Sequence, residues 1–291
     1  MSWISFALLA ALATGFGDLL AKFLMKKDDE FIVAWMRSVF IVPFAIVGIF
    51  LLGPFRITHE FWYFIAIIIP VDILAYILYL KAIRQSQLSL ALPFLAFSPI
   101  FVIFNSWIIL GEKVSRVGLL GILLIVFGSY VLNIKEVRKG FFAPVIAIFR
   151  WSGPRLMLMA AFMYGLDAVL GKKMILLSQP KFMALAFPIM LFLAFTPIVF
   201  YRVQKKICTF NLKFNRFLLY FLLSFVFAII FICHFKAVSL THVAYAISVK
   251  RVSILVGSVL GFLVFKERNV LSRLVGIVFM LAGVFIIGFY A

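Results

Sequence analysis

The chain is poor in nearly everything that a water-facing surface requires. Charged residues make up 13% of its 291 positions and only 10 are acidic, whereas a soluble domain is about one quarter charged. It holds 3 histidines and 2 cysteines. Cys208 and Cys233 have no metal-type spacing around them, so they read as ordinary thiols and fix no redox compartment. There is no metalloprotease HExxH, no GxSxG elbow, no phosphate-binding P-loop and no acidic cluster of divalent-metal type. Neither catalysis nor a cofactor is expected from such a chain, and ATP bound to this chain is not expected to drive it. The N-terminus lacks the basic flank of a cleavable signal, so the apolar stretch from Trp3 reads as a first membrane span.

What is present is apolar. The hydrophobic fraction is 66%, with 37 phenylalanines and a mean hydropathy of +1.21, against about 45–50% apolar residues in soluble domains. The net charge of +18 comes from basic residues that fall mostly between apolar stretches. That placement suits anionic lipid headgroups and not a nucleic acid.

Ten apolar stretches are long enough to span a bilayer: 3–25, 31–53, 61–84, 88–110, 116–134, 154–177, 181–201, 214–238, 241–265 and 271–290. Backbone groups in lipid must be satisfied within the segment or in a closed barrel. The absence of two-residue alternation excludes the barrel, so the expected fold is an all-α integral membrane protein. Most connections are very short, which makes neighbouring helices antiparallel. Only the stretch 135–153 is long, and it separates a first unit (1–134) from a second (154–291). Pro43, Pro70, Pro93, Pro99, Pro188 and Pro197 lie inside spans and are candidate kinks.

The two units repeat one another. Offset by 155 positions, Tyr79–Asn133 aligns with His234–Gly288 without a gap. Lys81 then meets Lys236, Ser98 meets Ser253, Glu112 meets Glu267, Gly121 meets Gly276 and Gly128 meets Gly283. Nearer the start, Gly15 pairs with Gly165 and Lys22 with Lys172. Five spans per unit is an odd number, so the units enter the membrane in opposite directions. Inverted five-helix repeats suit a transporter, whose site lies near the midplane between the halves.

Lys250 and Arg251 stand side by side near the middle of the ninth span. An ionisable group in hydrocarbon costs from about 3 to over 10 kcal/mol, so this pair is the leading candidate for binding an anionic cargo. Lys250 shares a helical stripe with Ala246, Ser253, Gly257 and Gly261. Arg251 is turned about 100° away, on the side of Ser248. Arginine grips a carboxylate or phosphate through two parallel hydrogen bonds, while lysine acts as a point charge. The alternative is neutralisation by protein carboxylates. Asp72 is central in the third span and forms a stripe with Tyr76 and Tyr79; Asp167 is central in the sixth, and Arg37 lies in the outer third of the second. Asp72, Asp167 and Arg37 are expected to line the cavity or couple a proton. Tyr76, Tyr245 and Ser248 are expected to shape it. Asp18 and Lys22 read as a salt bridge within one helix, and Glu112 and Glu267 as partners of helix N-terminal amides.

The repeated element from Lys81 through Gly111-Glu112 to Gly121 and Gly128, matched by Lys236, Glu267, Gly276 and Gly283, resembles the EamA-type branch of the drug/metabolite transporter superfamily. The resemblance covers essentially the whole chain and implies secondary transport of small metabolites. Within the ninth span, Thr241-His242-Val243 and Val249-Lys250-Arg251-Val252-Ser253 resemble the ninth helix of plastid triose-phosphate translocators. In that family a Lys-Arg pair holds the substrate phosphate, a role that falls by position on Lys250 and Arg251. In the first half, Leu95 and Ala96 stand opposite the pair, so the second basic residue of that clamp has no counterpart.

The expectation is a secondary carrier in a plasma or bacterial inner membrane, acting as monomer or homodimer. Its cargo would be a small phosphorylated or carboxylated anion. Export of amino acids or cationic drugs is the alternative, and a membrane enzyme acting on lipid-linked substrates the rival from another class. The bias of basic residues toward loops after odd-numbered spans would place both termini outside.

Overall fold

The computed structural model describes residues 2–86, 88–131, 152–208, 214–265 and 274–290, and no strand occurs among them. The described residues form thirteen helices: α1 (Trp3–Leu24), α2 (Glu30–Val39), α3 (Val42–Leu52), α4 (His59–Gln85), α5 (Leu88–Leu95), α6 (Ser98–Leu110), α7 (Arg116–Val131), α8 (Ser152–Leu177), α9 (Pro180–Gln204), α10 (Phe214–Leu240), α11 (Val243–Lys250), α12 (Ser253–Phe265) and α13 (Leu274–Tyr290). They form ten spans, because α2–α3, α5–α6 and α11–α12 are each one span broken in its middle. Span 1 is long and apolar enough to cross a membrane, as are spans 2, 3, 7 and 8. At about 1.5 Å per residue, the 27 residues of α4 reach roughly 40 Å.

Two breaks have a proline behind them. Pro43 and Pro99 stand at the start of α3 and α6, where the missing N–H cannot continue the preceding ladder. Pro70, Pro188 and Pro197 lie within continuous helices. The third break has no proline. There the ladder tightens locally, with the Arg251 N–H shared between the carbonyls of Ile247 and Ser248 at 3.1 Å each, and Val252 N donating to Val249 O at 3.0 Å. The breaks of spans 4 and 9 fall at equivalent positions of the repeat, Ala96-Phe97 and Arg251-Val252.

The packing has the two-fold logic of the repeat. Span 1 lies against span 8 and both pieces of span 9; span 6 lies against span 3 and both pieces of span 4. Spans 5 and 10 pair with each other, and so do spans 2 and 7. Glycines make these crossings close. A Cβ on Gly15 would lie 2.6 Å from the Val256 side chain, and one on Gly165 2.6 Å from Phe101. Val256 and Phe101 are themselves repeat equivalents. Between spans 5 and 10, a Cβ on Gly121 would meet the Gly283 carbonyl oxygen at 2.9 Å, and one on Gly128 the Gly276 oxygen at 2.6 Å.

Polar ties close the two ends of the bundle. At one end three consecutive acidic residues where α2 begins each hold an arginine from a different span. Asp28 pairs with Arg216 at 2.5 Å and accepts from the Tyr220 hydroxyl at 2.8 Å; Asp29 pairs with Arg202 at 2.8 Å; Glu30 pairs with Arg84. This clasp joins the starts of spans 2 and 8 to the ends of spans 3 and 7. At the opposite end Glu112 accepts from Val243 N at 3.0 Å, with Lys172 Nζ 3.9 Å away. The expected contact with a helix N-terminal amide is therefore present, but the helix belongs to the other half. Glu267 lies outside the described residues. Lys172 Nζ also donates to Thr241 O at 2.8 Å, and Lys22 Nζ donates to the equivalent Ser86 O at 3.1 Å.

Candidate functional site

A cavity of about 120 Å³ lies among the middles of spans 1–4 and 6–9. Its walls are largely aromatic, with Tyr76, Tyr79, Tyr164, Phe187, Phe227, Phe231 and Phe235 contributing. Three carboxylates (Asp18, Asp72, Asp167) and three cations (Arg37, Lys250, Arg251) also line it. Six ionisable groups in one membrane-embedded space are far more than packing requires.

Some of these charges are committed to one another. The Arg37 Nη2 donates to Asp72 Oδ2 at 2.9 Å, and its guanidinium lies 3.5 Å from the Tyr76 ring centre and 5.2 Å from that of Phe227. A buried pair boxed in by aromatic faces is geometrically fixed. Arg37 thus serves Asp72, and both side chains are almost fully buried. Asp18 accepts a hydrogen bond from the Tyr79 hydroxyl. The expected contact between Asp18 and Lys22 gives way to this arrangement: Asp18 turns to the cavity while Lys22 reaches the Ser86 carbonyl.

The remaining charges are less engaged. Arg251 donates from Nε to Ser98 Oγ at 2.7 Å. That bond links the break of span 9 to the break of span 4 and leaves the rest of the guanidinium fork for another partner. Lys250 Nζ is 3.5 Å from His234 Nδ1. Among the described residues no carboxylate lies within ion-pair distance of Lys250 or Arg251. Asp167 lines the cavity, yet its Oδ1 is buried without any hydrogen-bond partner.

The structure thus gathers Lys250, Arg251, Tyr76, Asp72, Asp167 and Arg37 around one space. Ser248 and Tyr245 sit elsewhere. Ser248 is fully buried and its Oγ donates back to Ala244 O at 2.6 Å. The Tyr245 hydroxyl accepts from Ser115 N at 2.9 Å, tying span 9 to the start of span 5 at the end of the bundle. Three cavity residues that were not expected there from the sequence are Asp18, His234 and Tyr164. One signal for His234 was in the repeat, which sets it opposite Tyr79.

A broken-helix pair crossing over a charged cavity, in a bundle of ten apolar spans, defines a multi-pass membrane carrier. A family model for the EamA-like transporter family matches residues 1–134 and again residues 151–289, and the chain belongs to that family. A solved crystal structure matches 97% of this chain and 99% of its own, at 12% identity and a TM-score of 0.69; that likeness shows the fold alone. None of the curated proteins compared with the chain matches it.

Proposed function

We propose that the chain is a secondary carrier for a small organic anion, carboxylated or phosphorylated, that works by alternating access between the units 1–134 and 154–291. Lys250 and Arg251 hold the anionic group. One observation carries this reading: of the three cavity cations, only Arg37 has a carboxylate partner among the described residues. Buried ions are normally paired, so an unpaired Lys-Arg pair lining a cavity suits a ligand that supplies the negative charge. The ninth-span motif, which resembles that of triose-phosphate translocators, supports the same assignment. Asp72 acts as the counter-ion of Arg37 and not as the coupling group. Tyr76 holds Arg37 in place through its ring, and Ser248 and Tyr245 brace span 9 without touching cargo. All cavity walls come from one chain, so a monomer suffices, working in a plasma or bacterial inner membrane.

The test is binding of matched anions by the purified protein, read as a shift in thermal unfolding, since a ligand that binds only the folded state stabilises it. Phosphorylated and carboxylated metabolites should raise the midpoint, and Lys250→Ala or Arg251→Ala should abolish the rise. Stabilisation by cationic metabolites only, surviving both substitutions, would replace this reading with cation export.

A further inference from the structure

We propose that Ser98 is a positioning residue for anion binding: by holding Arg251 through Nε, it turns the two terminal nitrogens of the guanidinium toward the cargo. The inference rests on the anion-binding role of Lys250 and Arg251 and adds what the first half contributes to it. Arg251 lines the cavity, but an arginine side chain has enough rotatable bonds to face several ways. Among the described residues its guanidinium makes one hydrogen bond, from Nε to Ser98 Oγ at 2.7 Å. A planar group tied at Nε keeps the edge formed by Nη1 and Nη2, and that edge is left for a carboxylate or phosphate.

Both partners of this bond are fixed by their own elements. Arg251 caps the C-terminus of α11, where its N–H is shared between two carbonyls. Ser98 opens α6, next to the Pro99 that breaks span 4. It is fully buried, behind the residues that line the cavity. α11 packs on α6 while α12 packs on α5, so the two broken spans cross where the bond forms. The bond also runs in one direction only. Its mirror image in the repeat would run from position 96 to Ser253, but position 96 is alanine and has no side-chain donor. The first half thus lacks both cations of the pair, with Leu95 and Ala96 in their places, and serves the anion through a serine behind the wall. An arginine already held in the required orientation loses less side-chain freedom when cargo arrives, and that saving appears as affinity.

The experiment uses the full chain in detergent, with inorganic phosphate and succinate as probes and affinity read by isothermal titration calorimetry. Ser98→Ala should weaken binding of the better probe about threefold to tenfold, the scale of immobilising one rotamer-rich side chain. Ser98→Thr keeps the hydroxyl and should keep the affinity, which separates loss of the bond from a fold defect. Ser253→Ala removes the equivalent serine of the other half and should leave binding unchanged. In an Arg251→Lys background, which lacks the Nε donor and the fork, Ser98→Ala should cost nothing further, because the serine acts through the arginine. Unchanged affinity in Ser98→Ala, an equal loss in Ser98→Thr or Ser253→Ala, or a loss that persists in the Arg251→Lys background overturns the role of Ser98 and leaves the anion reading in place. If Lys250→Ala and Arg251→Ala bind both probes as the unaltered protein does, or neither probe binds the unaltered protein, the anion reading falls and this inference with it.

Discussion

The two halves of this molecule share their mechanics and differ in their chemistry. Gly15 and Gly165 make equivalent crossings against Val256 and Phe101, and Lys22 and Lys172 reach the equivalent carbonyls of Ser86 and Thr241. Spans 4 and 9 break at equivalent points, although only the first break has a proline behind it. The cavity walls obey the same pairing: Thr14 with Tyr164, Asp72 with Phe227, Tyr76 with Phe231, Tyr79 with His234, and Leu95 with Lys250. Positions are conserved between the halves while side chains are not. The symmetric set holds helices together. The asymmetric set, which includes Asp72 in span 3, Asp167 in span 6 and Lys250 with Arg251 in span 9, gives the cavity its charges.

The largest expected effect comes from breaking the symmetric set. Gly121→Leu or Gly283→Leu places a side chain against a facing backbone oxygen that cannot step aside. Both should abolish a monodisperse peak in size-exclusion chromatography. Gly17→Ala, whose Cβ would make only ordinary contacts at 3.5 Å or more, should leave the peak intact. If all three variants behave alike, close approach is not what the glycines provide.

Next in size is the buried pair. Asp72→Asn leaves Arg37 buried without its partner, at a cost of about 3–5 kcal/mol. The variant should show a large fall in thermal midpoint. Replacing both residues with apolar ones should recover much of that fall, since the double change strands no charge. Equal losses in the single and double variants would show that packing, not charge, matters there.

The cations of span 9 come third. Lys250→Ala should weaken binding of the best anion tenfold or more, in line with about 1.5–3 kcal/mol for a charged contact, with little change in the unliganded midpoint. The comparison between halves sharpens this. Because Leu95 lines the cavity at the equivalent position, Leu95→Lys added to Lys250→Leu should restore part of the lost affinity. No recovery would mean that the two wall positions are not interchangeable.

The smallest effect belongs to the rim of the clasp. Arg84 is 46% exposed in its ion pair with Glu30, and exposed pairs contribute about 0–1 kcal/mol. Arg84→Gln should move the midpoint by no more than a few degrees.

Much of this was legible in the sequence. Ten spans follow from apolar length, and the repeat follows from pairs such as Gly121 with Gly276. The positions of Lys250, Asp72 and Asp167 in mid-span, and of Arg37 in the outer third of its span, marked them for the cavity, since charge is too costly in a span without a use. Other features were hidden for identifiable reasons. The break at Arg251 has no proline to announce it. Asp18 has Lys22 one turn away, so local spacing suggested a bond that Tyr79, 61 residues distant, supplies instead. The clasp joins Asp28 to Arg216 across 188 residues, a pairing that no periodicity encodes. Tyr245 and Ser248 share the span of the cations but face other helices, and a stripe along one helix does not tell which neighbour it meets.

The clasp also gives the molecule a built-in chemical stopwatch. Cys208 is buried just beyond α9, beside Arg202 and Asp29. Burial, with the neighbouring carboxylate, holds its thiol above the ordinary range, so little of the reactive thiolate is present while the clasp is shut. Each opening of that end would wet the sulfur and raise its rate of alkylation. With Cys233, the other cysteine, replaced by alanine, maleimide labelling of Cys208 would count those openings with and without cargo, and no engineered probe would be needed.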